Sequence, residues 1–68
     1  MEMRLRINGE ERTVPGEITV AELLRHLEID DRQVGVERNR ELVPRSRFEA
    51  TGLVEGDELE IVTFVGGG

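Results

Sequence analysis

A chain of 68 residues amounts to one small domain, near the lower size at which a single core suffices without staples. It has no cysteine, hence no disulfide, thiolate metal site or cysteine nucleophile, and its net charge of −6 (15 acidic residues against 9 basic ones) argues against nucleic acid as the main partner. No apolar run approaches a membrane span and Arg4 and Arg6 interrupt the opening stretch, so no membrane or signal segment is expected and a soluble, cytoplasmic protein is the default.

Met3-Arg4-Leu5-Arg6-Ile7 alternates apolar and charged residues, the pattern of a half-buried strand. Asn8-Gly9 is a strong hairpin signal. The return strand, about Glu11 to Val14, is weak: Val14 is its one large apolar residue, and Arg12, which shares that face, must sit at the sheet periphery. Pro15-Gly16 closes the hairpin. Thr19 to Glu22 has the spacing of a capping box, with Ile18 and Leu23 at the positions of a hydrophobic staple. Val20, Leu23, Leu24 and Leu27 then follow the i, i+3, i+4, i+7 pattern of an amphipathic helix, with Arg25 and His26 in its last turn, where positive charge suits the dipole.

Val34 to Arg38 reads as a third strand, Asn39-Arg40 as a turn and Leu42-Val43 as a short fourth strand before Pro44. Phe48, Leu53 and Val54 are expected to plug the core from an irregular stretch. Glu55-Gly56-Asp57 is a turn, and Glu58 to Val65 is expected to be the longest strand. Its Leu59, Ile61, Thr63 and Val65 should face the helix, and Glu58, Glu60, Val62 and Phe64 the other way. The order predicts an α+β roll in which a mixed sheet of four to five strands carries one helix on one face. The right-handed crossover rule sets the last strand beside the first.

Few residues offer chemistry. His26 stands alone on a helix, with no nucleophile near it in sequence. Asp30-Asp31 suits a loop or cap better than a cation site, because no calcium-loop spacing follows. Arg38, Arg40, Arg45 and Arg47 interleave with Glu37, Glu41 and Glu49, which favours a solvated, salt-bridged face over a phosphate site. No metal site and no self-contained active site is expected, so the chain reads as a non-enzyme. What remains is the end: Val62 and Phe64 on the open face of the sheet, followed directly by Gly66-Gly67-Gly68. A sheet with one helix leaves its second face to water unless a partner covers it, so Val62 and Phe64 are candidate docking residues. The glycines add nothing to a core and suit a backbone that threads a narrow site.

Ile7-Asn8-Gly9-Glu10, Thr19-Val20-Ala21-Glu22-Leu23-Leu24, Val36-Glu37-Arg38-Asn39, Leu42-Val43-Pro44-Arg45, Gly56-Asp57 and the closing glycines carry a family likeness. The whole chain resembles the ThiS family, the ubiquitin-like β-grasp sulfur carriers of thiamine biosynthesis. The resemblance implies a β-grasp domain over 1–65 with a flexible glycine tail at 66–68. It implies that a ThiF-type adenylating enzyme uses Mg-ATP to activate the Gly68 carboxylate, and that the carrier itself binds no cofactor. A persulfide donor then leaves a thiocarboxylate at Gly68, which gives its sulfur to a ThiG-type thiazole synthase. Gly66 and Gly67 form the stalk. Two alternatives stand beside this reading: a carrier for another acceptor (molybdopterin, cysteine or tRNA thiolation), and a non-covalent ubiquitin-like module with an inert tail.

Overall fold

The computed structural model describes residues 1–64. Five strands and one α-helix follow in the order β1 (Glu2–Ile7), β2 (Glu10–Pro15), α1 (Val20–His26), β3 (Val34–Arg38), β4 (Glu41–Val43) and β5 (Glu58–Thr63), with short 3-10 helices at Asp31–Gln33 and Arg45–Arg47. The strands form one mixed sheet in the spatial order β2-β1-β5-β3-β4, in which β1 and β5 are parallel and the other neighbours antiparallel.

Both hairpins close on two residues in the left-handed region, which suits the twist of the flanking strands. Asn8 and Gly9 (φ 51° and 83°) join Ile7 to its partner Glu10, and Asn39 and Arg40 (φ 52° and 72°) join Arg38 to Glu41. The helix begins on the expected capping box. The Thr19 hydroxyl accepts from the Glu22 amide at 3.1 Å, and the Glu22 carboxylate accepts from the Thr19 amide at 2.8 Å. Seven residues are too few to be stable alone, so α1 depends on what it buries. Val20, Ala21, Leu23 and Leu24 are all at most 2% exposed. They meet Met3, Leu5, Ile7, Val14, Val34, Val36, Val43, Leu59 and Ile61 from the sheet, with Phe48 and Leu53 from the connection between β4 and β5. Leu27 and Ile18 flank this core half-buried, and Arg12 lies exposed on the edge strand β2, opposite Leu5.

Four expectations are corrected. Val54 is 57% exposed, whereas its neighbour Leu53 is buried. Val54 opens the tight turn into β5, where its amide and carbonyl both bond to Asp57 and turn its side chain outward. Thr63 keeps its register opposite Val34 but is exposed at the strand end. Strand β5 stops at Thr63 and is no longer than β1 or β2, because β3, its partner there, begins only at Val34. Arg38 does not pair with the acids interleaved around it: its guanidinium bonds to Asp57, nineteen residues away. Val65 and the glycine tail, with the boundary placed between them, lie outside the described residues.

Candidate functional site

Strand alternation leaves one face of the sheet without a helix. On it lie Glu37 of β3, Leu42 of β4, and Glu58, Glu60 and Val62 of β5, followed by Phe64. Leu42, Val62 and Phe64 are 69%, 57% and 59% exposed. They surround a shallow depression of about 360 Å³ whose floor includes Gly35 and Val36 and whose rim includes Glu37 and Glu60. Exposed apolar residues scattered singly need no explanation, but three around one depression form a patch.

The electrostatics of this face are uneven. Glu37 and Glu60 stand directly opposite each other across β3 and β5, and neither belongs to an ion pair among the described residues. A like-charge pair facing across two strands works against the sheet. Glu58 follows on the same strand, opposite Arg6 of β1, whose guanidinium donates to the Gly9 carbonyl. Arg4, farther along β1, is engaged by Glu11 and Glu55. Among the described residues, the carboxylates that border the apolar patch form no ion pair, although Arg6 and Arg40 line the adjoining depression with them.

Strand β5 carries most of this surface, and three polar side chains fix it. The Asn8 amide closes a pair of bonds on Ile61, accepting from its N–H at 2.8 Å and donating to its C=O at 3.2 Å. On the other flank, Asn39 accepts from the Glu58 amide at 3.0 Å and donates to Asp57 at 3.1 Å. Asp57, 4% exposed, accepts from Arg38 Nε at 2.8 Å and from the Val54 amide at 2.9 Å. Burial alone would raise the Asp57 pKa, but the Val54, Arg38 and Asn39 donors outweigh it and hold the carboxyl below its ordinary value. The two asparagines sit in left-handed turns, a conformation they tolerate better than most residues, and their amides extend the ladder where the hairpins end.

Val62 and Phe64 therefore lie where the sequence pattern sets them, on one exposed face. Gly66, Gly67 and Gly68 lie outside the described residues. Three contributors went unnoticed in the sequence: Leu42, Gly35 and Asp57. The alternation around buried Val43 implied an outward Leu42, and a lone glycine inside a strand signals a close approach. Asp57 gave no such signal, since aspartate in a turn is ordinary.

Elsewhere, Asp30 caps the first 3-10 helix, and hydrogen bonds from Arg32 hold its carboxyl down to about 2. His26 is exposed at the end of α1. Among the described residues, no cluster of three or more His, Cys, Asp or Glu side chains is arranged to hold a metal ion, and no helix is long and apolar enough to cross a membrane.

Comparison with known proteins places this geometry. The sequence model of the ThiS family matches residues 5–68. Over 66 residues, 97% of this chain, it is 52% identical to the thiazole synthase of Paramagnetospirillum magneticum, of whose length it spans only about a fifth (20%). It is 40% identical over 50 residues to the sulfur carrier protein ThiS of Bacillus subtilis, covering 74% of this chain and 76% of that one. The crystal structure of the thiamine biosynthesis protein ThiS from Geobacter metallireducens superposes with a TM-score of 0.83 at 40% identity, over 97% of this chain and all of that one (100%). Sequence and β-grasp architecture agree along nearly the whole chain, which belongs to the ThiS family.

Proposed function

We propose that this chain is a sulfur carrier whose working group is the Gly68 carboxylate, and that it serves thiazole formation in thiamine biosynthesis. The observation that carries the reading is family membership over residues 5–68, which includes the glycine tail. The names borne by its relatives, a sulfur carrier protein ThiS and thiazole synthases, favour thiazole over the other acceptors.

The chemistry fits a chain that brings no catalyst of its own. A carboxylate is a poor electrophile until one oxygen becomes part of a good leaving group. A ThiF-type enzyme joins the Gly68 carboxylate to AMP, with Mg-ATP as its substrate and pyrophosphate released. The terminal sulfur of a persulfide displaces AMP, and a thiol then takes up the donor's inner sulfur as a disulfide, which frees the thiocarboxylate. A ThiG-type thiazole synthase takes the sulfur. The carrier's own share is a docking surface, proposed to be the Leu42, Val62 and Phe64 patch, and a side-chain-free end that enters a site too narrow for Cβ atoms. The stabilisation of charge in each step belongs to the partners, so the chain acts as a co-substrate, in the cytoplasm.

The test is intact mass measurement after incubation with an activating enzyme of the ThiF type, Mg-ATP and a persulfide donor. The expected result is the gain of one sulfur in place of one oxygen, lost when Gly68 is deleted while binding to the enzyme persists. No such gain with any activating enzyme overturns the carrier reading and leaves a non-covalent module.

A further inference from the structure

Gly35 lies mid-strand in β3, opposite Val62, and its backbone has no left-handed twist that would demand glycine. Glycine there weakens a strand, so its presence asks for a cause. The surroundings supply one. A Cβ built on Gly35 would lie 3.3 Å from Cζ of Phe64 and 3.9 Å from Cε2, and, the chain neighbours Val34 and Val36 aside, no other atom of the described residues lies within 4 Å of it. From just beyond the end of β5, the ring reaches diagonally across and sets its Cζ edge against the bare glycine, a cross-strand aromatic contact over a strand glycine. The Phe64 amide also donates to the Gln33 carbonyl at 2.7 Å. Ring and amide therefore pin residue 64 at two points on the start of β3.

We propose that Gly35 is a positioning residue for carrier chemistry: the side chain it lacks creates a seat for the Phe64 ring, and the seated ring fixes the point and direction from which residues 65–68 depart. This rests on the carrier reading given above. Four residues separate Phe64 from Gly68. Four residues span at most about 13–14 Å, so the anchor bounds where around the patch the reacting carboxylate can reach. The same seat holds the ring beside Val62 and Leu42, where it completes the apolar patch. Because Phe64 is 59% exposed, a methyl group at position 35 pushes the ring outward by a few tenths of an ångström without crowding the core.

The test compares wild type with Gly35→Ala, Phe64→Leu and the double variant. In wild type, NOEs by NMR are expected to join the Gly35 α-protons to the Phe64 ring protons at its Cζ and Cε2 edge, and Phe64→Leu removes them. Gly35→Ala is expected to keep the fold and to lower the kcat of the activating enzyme with the carrier a few-fold, because the reacting carboxylate is less well placed. The double variant is expected to be no worse than the poorer single one, because a seat without a ring has nothing left to lose. A wild-type spectrum without those NOEs overturns the seat whether or not any variant folds. An unchanged kcat for folded Gly35→Ala overturns its role in positioning. If wild type gains no sulfur with any activating enzyme, the carrier reading falls by itself, and the NMR comparison still decides whether the seat exists.

Discussion

At the scale of single residues, Asp57 bears the most structural weight and gave the least warning. Its partners Arg38 and Asn39 lie 19 and 18 residues upstream, on the hairpin that packs against the turn before β5. No local pattern links positions that far apart. The sequence instead surrounds Arg38 with nearer carboxylates, and the structure leaves those in water. Removing one member of a buried pair strands the other's charge. Asp57→Asn is expected to cost about 3 kcal/mol at neutral pH, the low end for such pairs because the Arg38 side chain is 31% exposed. The pH dependence has a definite sign. A carboxyl whose pKa is lower folded than unfolded contributes stability above its unfolded value and loses it as pH falls through the folded one. Urea unfolding from pH 7 downward should therefore show a constant gap between wild type and Asp57→Asn until about pH 4, then a narrowing one. A gap that does not change with acid would mean that Asp57 acts through shape and not through charge.

At the scale of elements, α1 was the most legible because its signals are local: a cap, a staple and an apolar stripe within ten residues, Ile18 to Leu27. Strand β2 was the least legible. Its burial pattern shows one inward residue in six, yet it pairs along its full length with β1. Its stability comes from the ladder and from the Asn8-Gly9 turn, and not from its own apolar content. Ala21 also escaped the reading, being too small to register as core although it is 2% exposed. The helix face itself is open to a direct check. Leu24 is 1% exposed at the centre of the cluster, so Leu24→Ala should destabilise by roughly 2–5 kcal/mol. In a domain this small, that is a large part of the whole stability. Thermal unfolding followed by circular dichroism measures it. A shift of only a degree or two would place Leu24 outside the core.

At the scale of the whole molecule, the right-handed crossover rule made one step of the topology legible, the last strand beside the first; that the two run parallel and that β5 also borders β3 came from the structure. The open face was legible in part. The alternation of β5 revealed Val62 and Phe64, but the register that brings Glu37 opposite Glu60 and Leu42 beside the patch depends on two hairpins meeting at β5. That register also separates what serves the fold from what serves a partner. Two carboxylates facing each other destabilise the sheet by a few tenths of a kcal/mol up to about 1 kcal/mol. If the face docks as proposed, its carboxylates steer it toward a cationic surface. Steering acts on the association rate and fades with salt, as the screening length falls from ~10 Å at 0.1 M to ~3 Å at 1 M. The double substitution Glu37→Gln with Glu60→Gln should therefore move two quantities in opposite directions. Thermal stability should rise by about 0.5 kcal/mol, a few degrees in a domain of this size. The association rate with the activating enzyme, measured by stopped flow at low salt, should fall several-fold and converge with wild type at high salt. If stability rises while the association rate stays at the wild-type value at every salt concentration, the carboxylates take no part in docking, and the partner approaches from another side.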